Sequence, residues 1–357
     1  MNIDALVNAV LYEGYILYPY RADSTKNQRR FTFGRIYPQG FVRDGNESER
    51  GSITMQCLVE KSGDAIITVT MRYLHPMNRT VGELSRPLTH WADDLLPEIK
   101  ATRELRVDDR IYQSWQEAVE QTINPPPLLL REQGMPPLRY PFNFRATHQT
   151  EPIRDGQGRI IGVVERQKQA IEGIIEIVTE PIEGQLFKVT VIVHNQTPFT
   201  AGTGIGTEIT TEDDAVLMRT MASTHLILTV REGAFISMID PPAKYEALAA
   251  ECQKDGVFPV LVGEDGAADT MLASPIILYD YPEVAPESHG DLFDSTEIDE
   301  ILTLRIMTMT DDEKAEMRQV DERARQLLQR TESLNADDLW NLHGTQRRLR
   351  TSDEDVS

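Results

Sequence analysis

The chain is poor in cysteine, with only Cys57 and Cys252 in 357 residues. They stand at neither metal-ligand nor redox-motif spacing, and each has apolar neighbours. That predicts buried free thiols in a reducing compartment and leaves no thiolate cluster for a soft metal. Long apolar runs are missing too. Stretches such as Pro127–Leu130 and Pro275–Tyr279 fall far short of the roughly 20 residues a membrane-spanning helix needs. The opening MNIDALVNAVLYEGY carries an acid early and has neither a basic region nor a small-residue cleavage site, so it does not read as a secretory signal. A cytoplasmic chain without membrane insertion is the expectation. Positive charge is also scarce: 36 Lys and Arg stand against 57 Asp and Glu, a net charge of −21. Such a balance repels phosphates, which argues against nucleic acid and anionic membranes as partners. It suits solubility or a basic partner surface.

Catalytic signatures are absent as well. No HExxH, CxxC, GxSxG or P-loop occurs, and the seven His are scattered singly. Ala201–Gly206 (AGTGIG) is rich in glycine but lacks the P-loop Lys and runs into Glu212-Asp-Asp214, so it reads as a connection before a short helix capped near Thr211. No catalytic residue, metal or cofactor is assigned, and the balance leans away from an enzyme.

What is present reads as antiparallel strands with helices at the ends. Leu6, Val7, Val10 and Leu11 are spaced for a short opening helix. Ile53–Glu60, a turn at Lys61-Ser-Gly-Asp64 and Ala65–Leu74 read as a hairpin, with Ile67, Val69, Met71 and Tyr73 on one face. Gly82–Lys100 and Asp109–Thr122 read as helices carrying Trp91 and Trp115. Asn124–Pro127 and Gly134–Pro137 break regular structure. Arg159–Val164 follows a turn at Asp155–Gly158. Ile174–Glu180 and Leu186–His194 form a second hairpin in which Phe187, Val189, Val191 and Val193 alternate with Lys188, Thr190, Ile192 and His194. The two hairpins look alike, and an internal duplication is one reading of that likeness. Ser223–Val230 with Gly233–Ile239 reads as a third hairpin, Ala243–Gln253 as a helix and Val257–Val262 as a buried strand. The end is helical, from the capping box at Thr310–Glu313 to a short helix with Trp340. The expected class is α+β: antiparallel β-sandwich-like units with a helical C-terminal region. The expected divisions are 1–138, 139–290, helices over 291–344, and a disordered tail over 345–357.

Two stretches draw attention as a binding surface. The first is an aromatic run, Tyr12, Tyr15, Tyr18 and Tyr20, ending at Arg21; tyrosines offer an apolar body and a polar tip. The second is the acidic stretch from Tyr279 to Asp294, which holds Tyr281, Glu283, Glu287, His289, Asp291 and Asp294. Eight carboxylates lie between Asp280 and Glu300, and no Lys or Arg occurs from Asp255 to Leu304. Converging oxygens suit a hard cation, but the spacing does not match an EF-hand. Helix capping by Asp294 or Thr296, with Glu283 and Glu287 solvated or paired to Lys26–Arg30, explains the same residues. An acidic loop this dense invites a cationic neighbour, so the N-terminal segment is expected to dock on it, with Arg21 paired to a loop carboxylate.

Residues 11–21 (LYEGYILYPYR), 223–242 (STHLILTVREGAFISMIDPP) and 274–305 together resemble an uncharacterised bacterial protein family associated with [NiFe]-hydrogenase gene neighbourhoods, beside maturation and small accessory proteins. The resemblance brings no catalytic residues with it. It implies a non-enzymatic accessory, assembly or interaction protein in hydrogenase biogenesis or function, with a hydrogenase subunit or maturation factor as its protein partner. The alternative is an enzyme, a hydrolase or a metal-dependent one, with its site between the Tyr12–Arg21 run and the Tyr279–Asp294 loop.

Overall fold

The computed structural model describes residues 3–11, 34–43, 49–91, 97–108, 110–131, 135–200, 212–282, 314, 328 and 329. Within them the protein is mostly antiparallel β-sheet. Helix α1 (Ile3–Leu11) opens the chain, with Leu6, Val7, Val10 and Leu11 buried as the spacing predicts. Strand β1 (Ser52–Leu88) follows and runs for 37 residues. Then come β2 (Ile99–Thr102), β3 (Glu104–Val107), β4 (Arg110–Gln113), β5 (Trp115–Ile123), β6 (Leu128–Leu129), β7 (Leu138–Phe144), β8 (Thr147–Arg154) and β9 (Ile160–Lys168). Strands β10 (Ile171–Glu183) and β11 (Leu186–Asn195), helix α2 (Glu212–Leu217), strand β12 (Ala222–Phe235), helix α3 (Glu246–Glu251), and strands β13 (Lys254–Asp255), β14 (Phe258–Leu261) and β15 (Thr270–Ser274) complete the described order.

Strand β1 organises the sheet by changing partners along its length. One side is taken in turn by β11 at Ser52–Glu60, β6 at Ile66–Ile67, β5 at Met71–Arg79 and β2 at Val81–Leu84. The other side is taken by β13 at Thr54–Met55, β12 from Val59 to Leu74, and β9 from Asn78 to Leu88. The strands on either side of residues 138 and 139 therefore share one 13-stranded sheet, with a path β14-β15-β12-β1-β11-β10-β7. A strand this long cannot stay flat under the twist of its neighbours. The sheet curls until Phe144 of β7 meets Tyr73 of β1 edge to face, 6.0 Å between ring centroids. Inside the curl, alternate residues of β1 (Ile53, Met55, Cys57, Val59, then Ala65, Ile67, Val69, Met71) pack on Val189, Val191, Val193, Leu226 and Leu228.

Four expected elements are corrected. Lys61–Asp64 is not a hairpin turn but a bulge within β1. Lys61 faces Gly233 and Ile66 faces Arg231, so β1 takes five steps where β12 takes two. Glu232 turns there with φ 55 and accepts the Asp64 amide at 2.8 Å. The flanking arms run on in one direction because β11 and β12 pair with them, and long-range pairing outweighs a local turn signal. With that hairpin gone, the likeness between 53–74 and 174–194 has no structural counterpart. Ser223–Ile239 is likewise no hairpin: Ala222–Phe235 is one strand, bent at Glu232 opposite the bulge.

The described residues of Gly82–Lys100 and Asp109–Thr122 form strands joined by irregular backbone, and no helix. The cause is an ambiguity of spacing. Trp115, Val119 and Ile123 lie four apart, which satisfies a helix stripe, but four is also two strand periods. Their face in β5 is shared with Glu117 and Gln121, set by pairing with β1.

Other readings agree with the coordinates. Strands β10 and β11 pair through a turn at Gly184, φ 57, and Phe187, Val189, Val191 and Val193 are buried. Asp155 holds the β8–β9 turn by accepting the Gln157 and Arg159 amides at 3.0 and 2.9 Å. Helix α3 and strand β14 fall within the expected helix and strand. The C-terminal helices lie outside the described residues, apart from helical Lys314, Leu328 and Gln329.

Candidate functional site

Of the residues proposed from sequence, Tyr12, Tyr15, Tyr18, Tyr20, Arg21, Glu283, Glu287, His289, Asp291 and Asp294 lie outside the described residues. The expected pairing of Arg21 with a loop carboxylate lies there too, as do Lys26, Arg29 and Arg30. Tyr281 is described, and so are the roots from which both stretches spring.

Those roots meet. Helix α1 ends at Leu11, one residue before the aromatic run. Its Leu6, Val7 and Val10 pack with Val260, Val262 and Leu272, and Ile276 and Leu278 close on the same cluster. Gly34, where the chain becomes described again, lies so near Pro275 that a Cβ there would come within 2.4 Å of the Pro275 ring. Its φ of 51 also favours glycine. The chain thus leaves and re-enters this neighbourhood beside residues 275–278.

Residues 275–282 run from β15, whose Ser274 pairs with Phe258, to a second anchor at Asp280 and Tyr281. The Asp280 carboxylate accepts the Leu261 amide at 2.7 Å and the Ser237 hydroxyl. The Tyr281 amide donates to the Leu261 carbonyl at 2.8 Å, and its ring packs on the main core. Partial burial, then the nearby Asp280 and Asp265 carboxylates, hold the Tyr281 phenol above its usual range. Between these anchors Ile276 and Leu278 point inward. Ile277 and Tyr279 point outward, 74% and 83% exposed. The alternating exposure of this irregular segment past β15 displays two large apolar side chains on a pinned backbone.

A second constellation was not found from sequence. Continuing the inward face of β1 past Met71 brings up Tyr73, His75 and Arg79. Tyr73 and His75 are wholly buried, with Phe144 6.5 Å from the His75 ring. Among the described residues neither the Tyr73 hydroxyl nor either His75 nitrogen has a hydrogen-bond partner. Burial first, then the Lys168 charge, pulls His75 down to about 3; the Gln169 backbone favours the charged form without making a formed hydrogen bond. His75 is therefore neutral at neutral pH. Beyond it, Glu117 bridges two guanidiniums: Arg166 Nε at 3.1 Å and Arg79 Nε at 3.6 Å. Trp115 Nε1 donates to the same carboxylate at 3.1 Å, and Arg166 reaches on to Glu151 at 3.0 Å. The signal was available in the alternation itself, since residues 73, 75 and 79 keep the parity of 67, 69 and 71. The opposite face holds a comparable group. Arg72 binds Glu120 at 2.6 Å and donates to Asn8 of α1 at 2.7 Å, beside buried His225. Burial takes His225 down to about 4.

Among the described residues no group of three or more His, Cys, Asp or Glu is placed to hold a metal ion. No described helix is long and apolar enough to cross a membrane. No protein-family model matches the chain, and no curated protein matches its sequence.

Proposed function

We propose that this protein is a non-enzymatic interaction or assembly factor that presents the 275–282 edge to a protein partner. Ile277 and Tyr279 carry the reading. Two large apolar side chains held outward on an anchored segment suit a docking surface, because their ordering cost is already met before a partner arrives. The net charge of −21 favours a partner with a basic surface. The resemblance of residues 11–21, 223–242 and 274–305 to the hydrogenase-associated family points to a [NiFe]-hydrogenase subunit or maturation factor as that partner, in the cytoplasm. In this reading the curled sheet is a β-sandwich-like scaffold, residues 291–344 form a helical region, and the Tyr12–Arg21 run extends the docking surface.

Disruption of the gene in the native host tests the role. Hydrogenase activity should fall while growth on other substrates continues. The wild-type chain should restore it, and the Ile277→Ser/Tyr279→Ser double variant should not. Both side chains are exposed, so the variant should fold normally. Unchanged hydrogenase activity after disruption, or full rescue by the double variant, would overturn the proposal.

A further inference from the structure

Cys57 sits where one neighbour of β1 gives way to the next. On its N-terminal side the Gln56 amide donates to the Gln253 carbonyl at 2.9 Å, and the Gln253 amide donates back to Gln56 Oε1 at 2.8 Å. Met55 faces Lys254 and Thr54 faces Asp255. The paired ladder ends at Lys254, and the Gln56–Gln253 bond carries the contact one residue further, which brings the next residues on either side, Cys57 and Cys252, next to each other. On the C-terminal side of Cys57 the Ile236 amide donates to the Leu58 carbonyl at 2.9 Å. The chain from 236 to 253, including α3, therefore leaves and rejoins β1 on either side of this cysteine. Directly opposed residues of an antiparallel pair have Cα atoms about 4.5–5.5 Å apart, within the roughly 4.4–6.8 Å that a disulfide spans. Both side chains lie in the same buried cluster, and Cys252 is near enough for its charge to act on Cys57.

We propose that Cys57 and Cys252, both thiols in this structure, form a dithiol pair that closes into a disulfide on oxidation and clamps the α3 excursion to the central strand. The two sulfurs have different roles. Cys57 is fully enclosed, and burial, then the neighbouring Cys252, pushes its thiol well up. Cys252 lies at the end of six-residue α3, with its thiol donating to the Leu248 carbonyl at 3.4 Å. Burial raises it as well, but Lys188 and Lys254 favour its thiolate. Cys252 keeps 7% exposure where Cys57 has none, so it is the thiol that an external disulfide reaches first, and it is the attacking thiol. Its thiolate attacks one sulfur of a small disulfide such as glutathione disulfide. That S–S bond breaks, and one glutathione leaves as thiolate and takes a proton. Cys57 then gives up its proton and attacks the Cys252 sulfur, expelling the second glutathione. Two protein thiols are oxidised and one glutathione disulfide is reduced to two thiols.

The test is to incubate the purified full-length chain with glutathione disulfide, then alkylate remaining thiols under denaturing conditions. The expected product is a monomer lighter by two hydrogens, free of alkylation, with the Cys57 and Cys252 peptides joined in a non-reducing map. Its melting temperature should rise and should return to the starting value with dithiothreitol, since a cross-link between distant residues restrains the unfolded chain. Cys57→Ser should stop at one glutathione on Cys252, and Cys252→Ser should leave Cys57 unmodified while folded. If either variant fails to fold, the wild-type peptide map and melting shift decide. Disulfide-linked dimers, unreacted thiols in the folded chain, or a melting temperature lowered by oxidation would each overturn the proposal.

Discussion

Two stretches of one strand, on one face, make the most instructive contrast in this protein. From Ile53 to Met71 the inward residues of β1 are apolar and meet the Val, Leu and Ile side chains of β11 and β12. From Tyr73 to Arg79 the same parity delivers Tyr73, His75 and Arg79 into a region closed by Phe144 and crossed by the Glu117 bridge. Backbone alternation decides which way a side chain points. What it meets is decided by which strand pairs alongside, and β1 changes its partners between the two stretches. The first stretch gains from burial alone. The second must satisfy what it buries, and at His75 and Tyr73 it does not do so with described protein groups.

The largest break is expected in the first stretch. Val191 is wholly buried between Met55 and Ile177, so Val191→Asp places an unpaired carboxylate in the aliphatic core. A loss of roughly 4–5 kcal/mol or more follows, enough to unfold a protein of ordinary stability. Circular dichroism would register it as a lost or strongly lowered melting transition. A midpoint equal to wild type would mean that the register of β11 is wrong.

Glu117→Gln acts on the second stretch. It removes the charge that faces two guanidiniums, of which Arg79 is only 8% exposed. Urea denaturation should show a loss of about 2–4 kcal/mol, below the upper range for a buried pair because Arg166 keeps Glu151. Glu117→Ala together with Arg166→Ala should cost less than the two single changes added, since the charges would leave together.

The His75 environment makes the contrast pH-dependent. Its folded value of about 3 lies below the ordinary 6.5, so between those values the unfolded chain binds a proton that the folded one does not. The stability associated with neutral His75 is complete above about 6.5 and falls as pH drops toward 3, by up to about 1.4 kcal/mol per pH unit. His225 adds a loss of the same sign. His75→Leu should be neutral or slightly stabilising at pH 7.5, by at most about 1 kcal/mol, because it removes an unsatisfied group. It should also flatten the acid limb relative to wild type. Denaturation midpoints at pH 7.5 and 5 check both, and an acid limb as steep as wild type would contradict the assignment.

The smallest effect is expected outside both stretches. Arg106 pairs with Glu104 at 2.6 Å but is 70% exposed, so Arg106→Ala should change stability by about 0–0.5 kcal/mol.

The sequence carried the alternating faces of β1 and β11, the buried strand β14, the opening helix, and the β10–β11 hairpin. Each depends on a short-range pattern that its eventual partners reinforce. It misassigned β5 because Trp115, Val119 and Ile123 satisfy two periods at once. It misassigned Lys61–Asp64 because Gly and Asp mark a bulge as readily as a turn, and only the unbroken β12 opposite decides between them. Of the docking edge, the acidity and tyrosines were visible. The outward aim of Ile277 and Tyr279 was not, since it follows from Asp280 and Tyr281 gripping Leu261. The Glu117 bridge joins three strands far apart in sequence, and no local spacing announces it.

The most direct measurement for the proposed role compares how the purified wild-type chain and the Ile277→Ser/Tyr279→Ser variant capture the host's purified [NiFe]-hydrogenase subunits and maturation proteins. Binding is followed by interferometry at more than one salt concentration. One of these proteins should bind the wild type, at least about tenfold more weakly to the variant, and more weakly as salt rises, given the charge of −21. Equal binding by both forms, or no binding to the wild type, would contradict the account.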